Sequence, residues 1–118
     1  MTIPELLIKL ENKGFKSNEF SYTVNKIGNV KFVYEGVKAK ENETLSIEWK
    51  RETWFDTDKE VKELRFVYNK SIQTTVKHEK LTRALTETKS DIYNITNVEM
   101  SEAFDSMCRI LFQDDAKV

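Results

Sequence analysis

Apolar and polar positions along the chain fall into two periods. Near the start, Ile3, Leu6, Leu7 and Leu10 recur at three- and four-residue spacing, the stripe of an amphipathic helix. Thr2 and Glu5 stand ahead of it at capping-box spacing, and Pro4 is tolerated in a first helical turn. Gly14 can take the left-handed conformation that ends a helix, with Phe15 packing back on Leu10. The spacing predicts a helix over 2–13. The period then drops to two. Phe20, Tyr22 and Val24 alternate with polar residues, as do Val30, Phe32 and Tyr34, and then Leu45, Ile47 and Trp49. Gly28-Asn29 suits a tight type II′ hairpin turn, and Asn42 among charges marks a second reversal. The result is an antiparallel meander of three strands.

Downstream the pattern is ambiguous. Asp56-Thr57-Asp58 interrupts it, after which Leu64, Phe66 and Tyr68 alternate like a strand while Val61, Leu64 and Tyr68 fit a helix over 58–69. With that helix, the order of elements resembles the secretion-chaperone type of fold, a likeness of order alone that implies no function. Ile72 to His78 is rich in β-branched residues and reads as a strand. Lys80 to Lys89 carries Leu81, Ala84 and Leu85 in helical register and reads as a short helix or a long loop; Asp91 to Thr96 reads as a short strand. Thr96 and Glu99 repeat the capping-box spacing, and Met100, Ala103, Phe104, Met107, Cys108 and Leu111 form the apolar face of a helix over 97–112. The expected fold class is α+β. Its antiparallel sheet, the three-stranded meander plus one or two further strands, packs against N- and C-terminal amphipathic helices in a two-layer sandwich.

Length narrows this to one domain, 1–118, with enough chain to bury a core. Three glycines leave no material for a phosphate-cradling loop. No segment approaches membrane-spanning length, so no membrane partner is expected. A single cysteine forms no internal disulfide, which fits a reducing, cytoplasmic setting. The net charge of −1 is unevenly spread: residues 59–90 hold eight Lys/Arg against four Asp/Glu, and residues 91–118 hold two against six. Lys70, Lys77, Lys80 and Arg83 make the basic segment a candidate for nucleic-acid contact, although no cluster is dense.

Candidate chemistry centres on "LSIEWKRETWF", Leu45 to Phe55. Metal-dependent nucleases with a Glu-x-Lys strand use the carboxylate on a divalent cation and the lysine against the attacked phosphate. Glu48 and Lys50 fit that pattern on the third strand, and Glu35 on the preceding one offers a second carboxylate. Against it, Glu-x-Lys occurs four times in the chain, starting at Glu11, Glu48, Glu60 and Glu87, and the accompanying aspartate after proline is missing. Asp56-x-Asp58-x-Glu60 has metal-like spacing but lacks the glycine and glutamate of an EF-hand loop. His78 is the only histidine and reads as a surface residue; Cys108 lies on an apolar helix face, where a thiol is packed and inert. Asn94-Ile95-Thr96 has the form of a glycosylation acceptor, without consequence in the cytoplasm.

Neither a nucleophile–base pair nor a cofactor motif assembles, so no cofactor and no resident metal are expected. The reading that follows is a small non-catalytic module that docks a protein partner. That class includes inhibitors and accessory factors of the kind mobile elements encode. Its expected surface is Trp54 with Glu48, Lys50 and Glu52: strand alternation turns Leu45, Ile47 and Trp49 to one face and these four to the other. A bulge between Arg51 and Trp54 would instead tuck the Trp54 ring inside.

Overall fold

The computed structural model describes residues 1–54, 59–78 and 81–113, with strand residues 73–78 and 81–86 described by their backbone alone. Helix α1 (Ile3–Asn12) leads into strands β1 (Lys16–Val24), β2 (Val30–Lys38), β3 (Glu43–Trp54), β4 (Lys59–His78) and β5 (Leu81–Thr96), followed by helix α2 (Met100–Phe112). The strands pair antiparallel in chain order, β1-β2-β3-β4-β5. The molecule is α+β, with an antiparallel five-stranded sheet and two helices.

Helix α1 forms as its sequence predicts. The Thr2 hydroxyl accepts from the Glu5 N–H, and the Glu5 carboxylate accepts from the Thr2 N–H. At the other end Gly14 takes φ +97°. The Gly14 N–H donates to Glu11 O and the Phe15 N–H to Leu10 O, the paired bonds of a Schellman motif. The β1–β2 turn is wider than a two-residue type II′ hairpin. Val24 pairs with Val30, and the Asn25 side chain accepts from the Ile27 and Asn29 N–H groups. Only Gly28 takes a positive φ, +87°. An asparagine able to bond its own loop sets the reversal, rather than the Gly-Asn pair.

Farther on, one ambiguity resolves and two expectations are corrected. The segment that fits either strand or helix is strand over its described residues, and Lys59 to His78 run on as one 20-residue strand. Leu81 to Lys89, expected as helix or loop, belong to β5 and pair rung for rung with β4. Helical register at Leu81, Ala84 and Leu85 is a local signal, and a cross-strand ladder outweighs it. Helix α2 starts at Met100 rather than 97. Thr96 is still paired with Glu63, Asn97 turns the chain at φ 61°, and the Glu99 carboxylate goes to Lys62 instead of closing a capping box.

The core lies on one side of the sheet. Rungs Phe32–Trp49–Leu64 and Tyr34–Ile47–Phe66 run across β2, β3 and β4. Leu6 and Leu10 of α1 and Ala103, Phe104 and Met107 of α2 join them in a single buried cluster. Phe104 meets Phe32 edge-on with ring centroids 5.2 Å apart. Gly36 is required by its neighbour: a Cβ there would stand 2.2 Å from the Tyr34 hydroxyl oxygen.

The last hairpin outgrows the body. Pairing of β3 with β4 ends at Glu43–Lys70, and the Ser71 N–H makes a last bond to Asn42 O. From Ile72–Glu87 to His78–Leu81 only β4 and β5 pair, a two-stranded ribbon roughly 23 Å long at strand rise. It accounts for a longest dimension of 66 Å and a radius of gyration of 18.1 Å, against about 13–14 Å for a globular chain of this length.

A candidate binding surface on the bare sheet face

The β3–β4 register is unbroken from Glu43–Lys70 to Trp54–Lys59. Strict alternation therefore holds to the end of β3. Leu45, Ile47 and Trp49 are buried in the core cluster, and the Trp49 indole N–H donates to Val98 O at 3.4 Å. Ser46, Glu48, Lys50, Glu52 and Trp54 take the opposite face. No bulge turns Trp54 inward, and its side chain is 57% exposed against 3% for Trp49. The Thr53 N–H donates to the Asn29 side chain at 3.1 Å, which pins the strand end that carries Trp54.

The rest of this face mixes exposed charges with half-buried Val33, Val61 and Val67, and none of its described residues is fully buried. Glu48 sits between Val33 of β2 and Arg65 of β4, and Lys50 between Lys31 and Glu63. The Glu48 carboxylate lies 3.9 Å from the Lys31 ammonium, with both groups about half exposed, so the pair contributes about 1 kcal/mol or less. Glu35 stands opposite Ser46, one diagonal step from Glu48 and about 7–8 Å away along the sheet. The structure thus brings Glu35, Glu48 and Lys50 to one face, but interleaves them with Lys31 and Arg65 rather than gathering the carboxylates. Among the described residues no group of three or more His, Cys, Asp or Glu is placed to hold a metal ion. Charges of alternating sign on a flat ladder can pair with complementary groups on a partner surface. They do not by themselves concentrate a cation.

Sequence reasoning missed two features. Ile92 pairs with Val67 on this face and is 56% exposed, an apolar spot in a segment whose sequence reads only as a short strand. Glu43 is buried on the helix side, where the Lys38 and Lys70 ammonium groups stand 3.8 and 3.6 Å from its carboxylate. Alternation from Leu45 would have found it, since Glu43 shares that parity. Beside it the Tyr68 hydroxyl is raised well above its ordinary pKa, first by burial and then by its bond to Glu43. Burial alone raises Tyr34. On the surface Lys62 is raised by Glu99 and then Glu60, and Glu99 is lowered by Lys62.

The remaining candidates separate. His78 lies on the last rung of the ribbon, whereas Cys108 is buried in α2, so the fold does not join them. Lys70 is engaged with Glu43. Lys77 and Arg83 fall on ribbon rungs, and Lys80 and the Asp56-x-Asp58 turn lie outside the described residues. Among the described residues no helix is long and apolar enough to cross a membrane. No protein-family model and no curated protein sequence matches the chain.

Proposed function

We infer that this protein is a non-catalytic module that docks a protein partner on the bare sheet face, with Trp54 as the anchor. The observation that carries the reading is the exposure of Trp54 at the pinned end of an unbroken strand, outside the buried cluster. Binding energy concentrates in large aromatic side chains ringed by polar residues, and Glu48, Lys50 and Glu52 supply that ring on the same strand face. The two-layer arrangement is part of the reading: both helices cover one face and leave the other for the partner. So is a cytoplasmic setting, in keeping with a single cysteine, Cys108, that is buried and in no disulfide.

The test is capture from extract by the wild-type chain and by Trp54→Ala, each with and without nuclease treatment. A partner that survives nuclease, binds wild type and is lost with Trp54→Ala supports the reading, provided the variant melts like wild type. Retention by Trp54→Ala removes the proposed surface. A nuclease with Glu35, Glu48 and Lys50 at its centre predicts instead that magnesium or manganese raises the melting temperature and that Glu48→Ala abolishes plasmid cleavage. Neither effect is expected.

A second reading rests on the ribbon. Lys70, Lys77, Arg83 and Lys89 all fall on the part of β4 and β5 at or beyond the last rung shared with β3, where a projecting arm can follow a phosphate backbone. Partners lost entirely on nuclease treatment would favour it.

A further inference from the structure

The two edges of the sheet differ in how they are protected. On the helix side of β5 Asp91, Lys89 and Glu87 stand opposite Tyr68, Lys70 and Ile72, and the uncharged stretch beyond them keeps Tyr93 and Ile95 half-buried. Charged side chains of this kind discourage edge-to-edge pairing. Strand β1 has a bulge and charges at its start only, where the register shifts between Ser17 and Glu19. From Phe20 to Val24 it carries no charge. Phe20, Tyr22 and Val24 pair with Tyr34, Phe32 and Val30, so they lie on the helix side of the sheet. Yet they are 46%, 47% and 57% exposed, only partly covered by their neighbours. An uncharged edge with three half-exposed apolar side chains is a template for another strand.

We propose that this edge pairs with β1 of a second copy, antiparallel about a two-fold axis at Tyr22, to make a continuous ten-stranded sheet. Pairing about Tyr22 preserves the faces, because residues of like parity stand opposite: Phe20 against Val24, Tyr22 against Tyr22, and Ser21 against Thr23. Aromatic and β-branched cross-strand pairs of this kind are the favourable ones. Glu19 meets Asn25, so no like charges oppose each other. The same register carries the partner's hairpin tip to the first residues of β1. There a groove of about 480 Å³ opens between α1 and β1, lined in part by Leu7, Phe15, Phe20 and Tyr34. Ile27 at the hairpin tip is 54% exposed and apolar, and the register delivers it to that groove. Lys26 beside it approaches Glu11, which also lines the groove. The interface is isologous, so each copy gives one hairpin tip and one groove, and the assembly closes at two.

One strand edge and a few half-exposed side chains per copy offer less area than the about 1,600 Å² of a standard protein interface. Association therefore shows as a concentration-dependent equilibrium rather than a permanent dimer. Sedimentation equilibrium of the full chain over a thousandfold concentration range tests it. The expected mass rises from one chain toward two and stops there. Tyr22→Lys, which sets two like charges on the axis, should abolish the rise without lowering the melting temperature, and Ile27→Asp should weaken it at least tenfold. Ile92→Lys, near the other edge, should leave it unchanged. A chain that stays monomeric throughout, or a dimer that survives Tyr22→Lys, overturns the proposal, as does association that continues beyond two copies.

Discussion

Replacing each tryptophan by alanine in turn separates the two faces of β3. Trp49 is 3% exposed and its N–H is bonded to Val98 O. Loss of a buried aromatic side chain costs about 3–5 kcal/mol, and the carbonyl left without its donor adds about 1 kcal/mol. At about 2.1 cal/mol/K per residue, the unfolding entropy of this 118-residue chain is near 250 cal/mol/K, so each kcal/mol moves the melting temperature by roughly 4 °C. Trp49→Ala should thus melt roughly 16–24 °C lower, enough to consume much of the stability of an ordinary domain. Trp54 has more than half its surface in water. Truncating it should cost about 1 kcal/mol or less, a shift within roughly 4 °C. Each single variant retains one tryptophan, whose fluorescence reports its own environment. Acrylamide should quench Trp54 in Trp49→Ala, measured below its lowered melting point, several-fold more steeply than Trp49 in Trp54→Ala. Equal quenching, or equal losses of melting temperature, would show that both rings are core residues and that the surface built on Trp54 does not exist.

Phe104 is fully buried against Phe32, so Phe104→Ala should cost about 3–5 kcal/mol; a variant that melts within a degree or two of wild type would refute the packing of α2. Among the described residues the buried Tyr34 hydroxyl has no hydrogen-bond partner, so Tyr34→Phe should be neutral or slightly stabilising at pH 7 by thermal denaturation. Its folded pKa is raised by burial: the stability this provides is fully present below about pH 10, the unfolded value, and is lost as pH rises through the folded one. The melting temperature of Tyr34→Phe should therefore fall less than that of wild type above pH 10. Gly36→Ala drives a methyl into the Tyr34 ring and should lose about 1–3 kcal/mol in urea titration, with an undiminished loss counting against that contact if Tyr34→Ala is already present. Among the described residues the ribbon strands pair only with each other, so replacing Ile72 to Glu87 by a two-residue turn should leave the melting temperature of the body within a few degrees.

Much of this architecture was legible in the chain because it is local. Helix α1 is written in a capping box, a four-residue apolar stripe and a left-handed glycine, all contacts within a few positions, and the first three strands are written in alternation that has to match one buried face. The outward placement of Trp54 followed from the same parity, but only the pairing of β3 with β4 decided it, since a single bulge would have reversed it. Non-local balances decided the rest. Leu81, Ala84 and Leu85 sit at helical spacing, and β5 formed because sixteen residues of β4 stood ready to accept its hydrogen bonds. Thr96 and Glu99 have capping-box spacing, and a ladder partner and Lys62 claimed them first. The exposure of β1 is of the same kind. Its Phe20, Tyr22 and Val24 alternate as regularly as the core residues of β2, and nothing along the chain distinguishes them. Only the position of the strand at the sheet edge, where neighbours cover them in part, leaves their side chains in water.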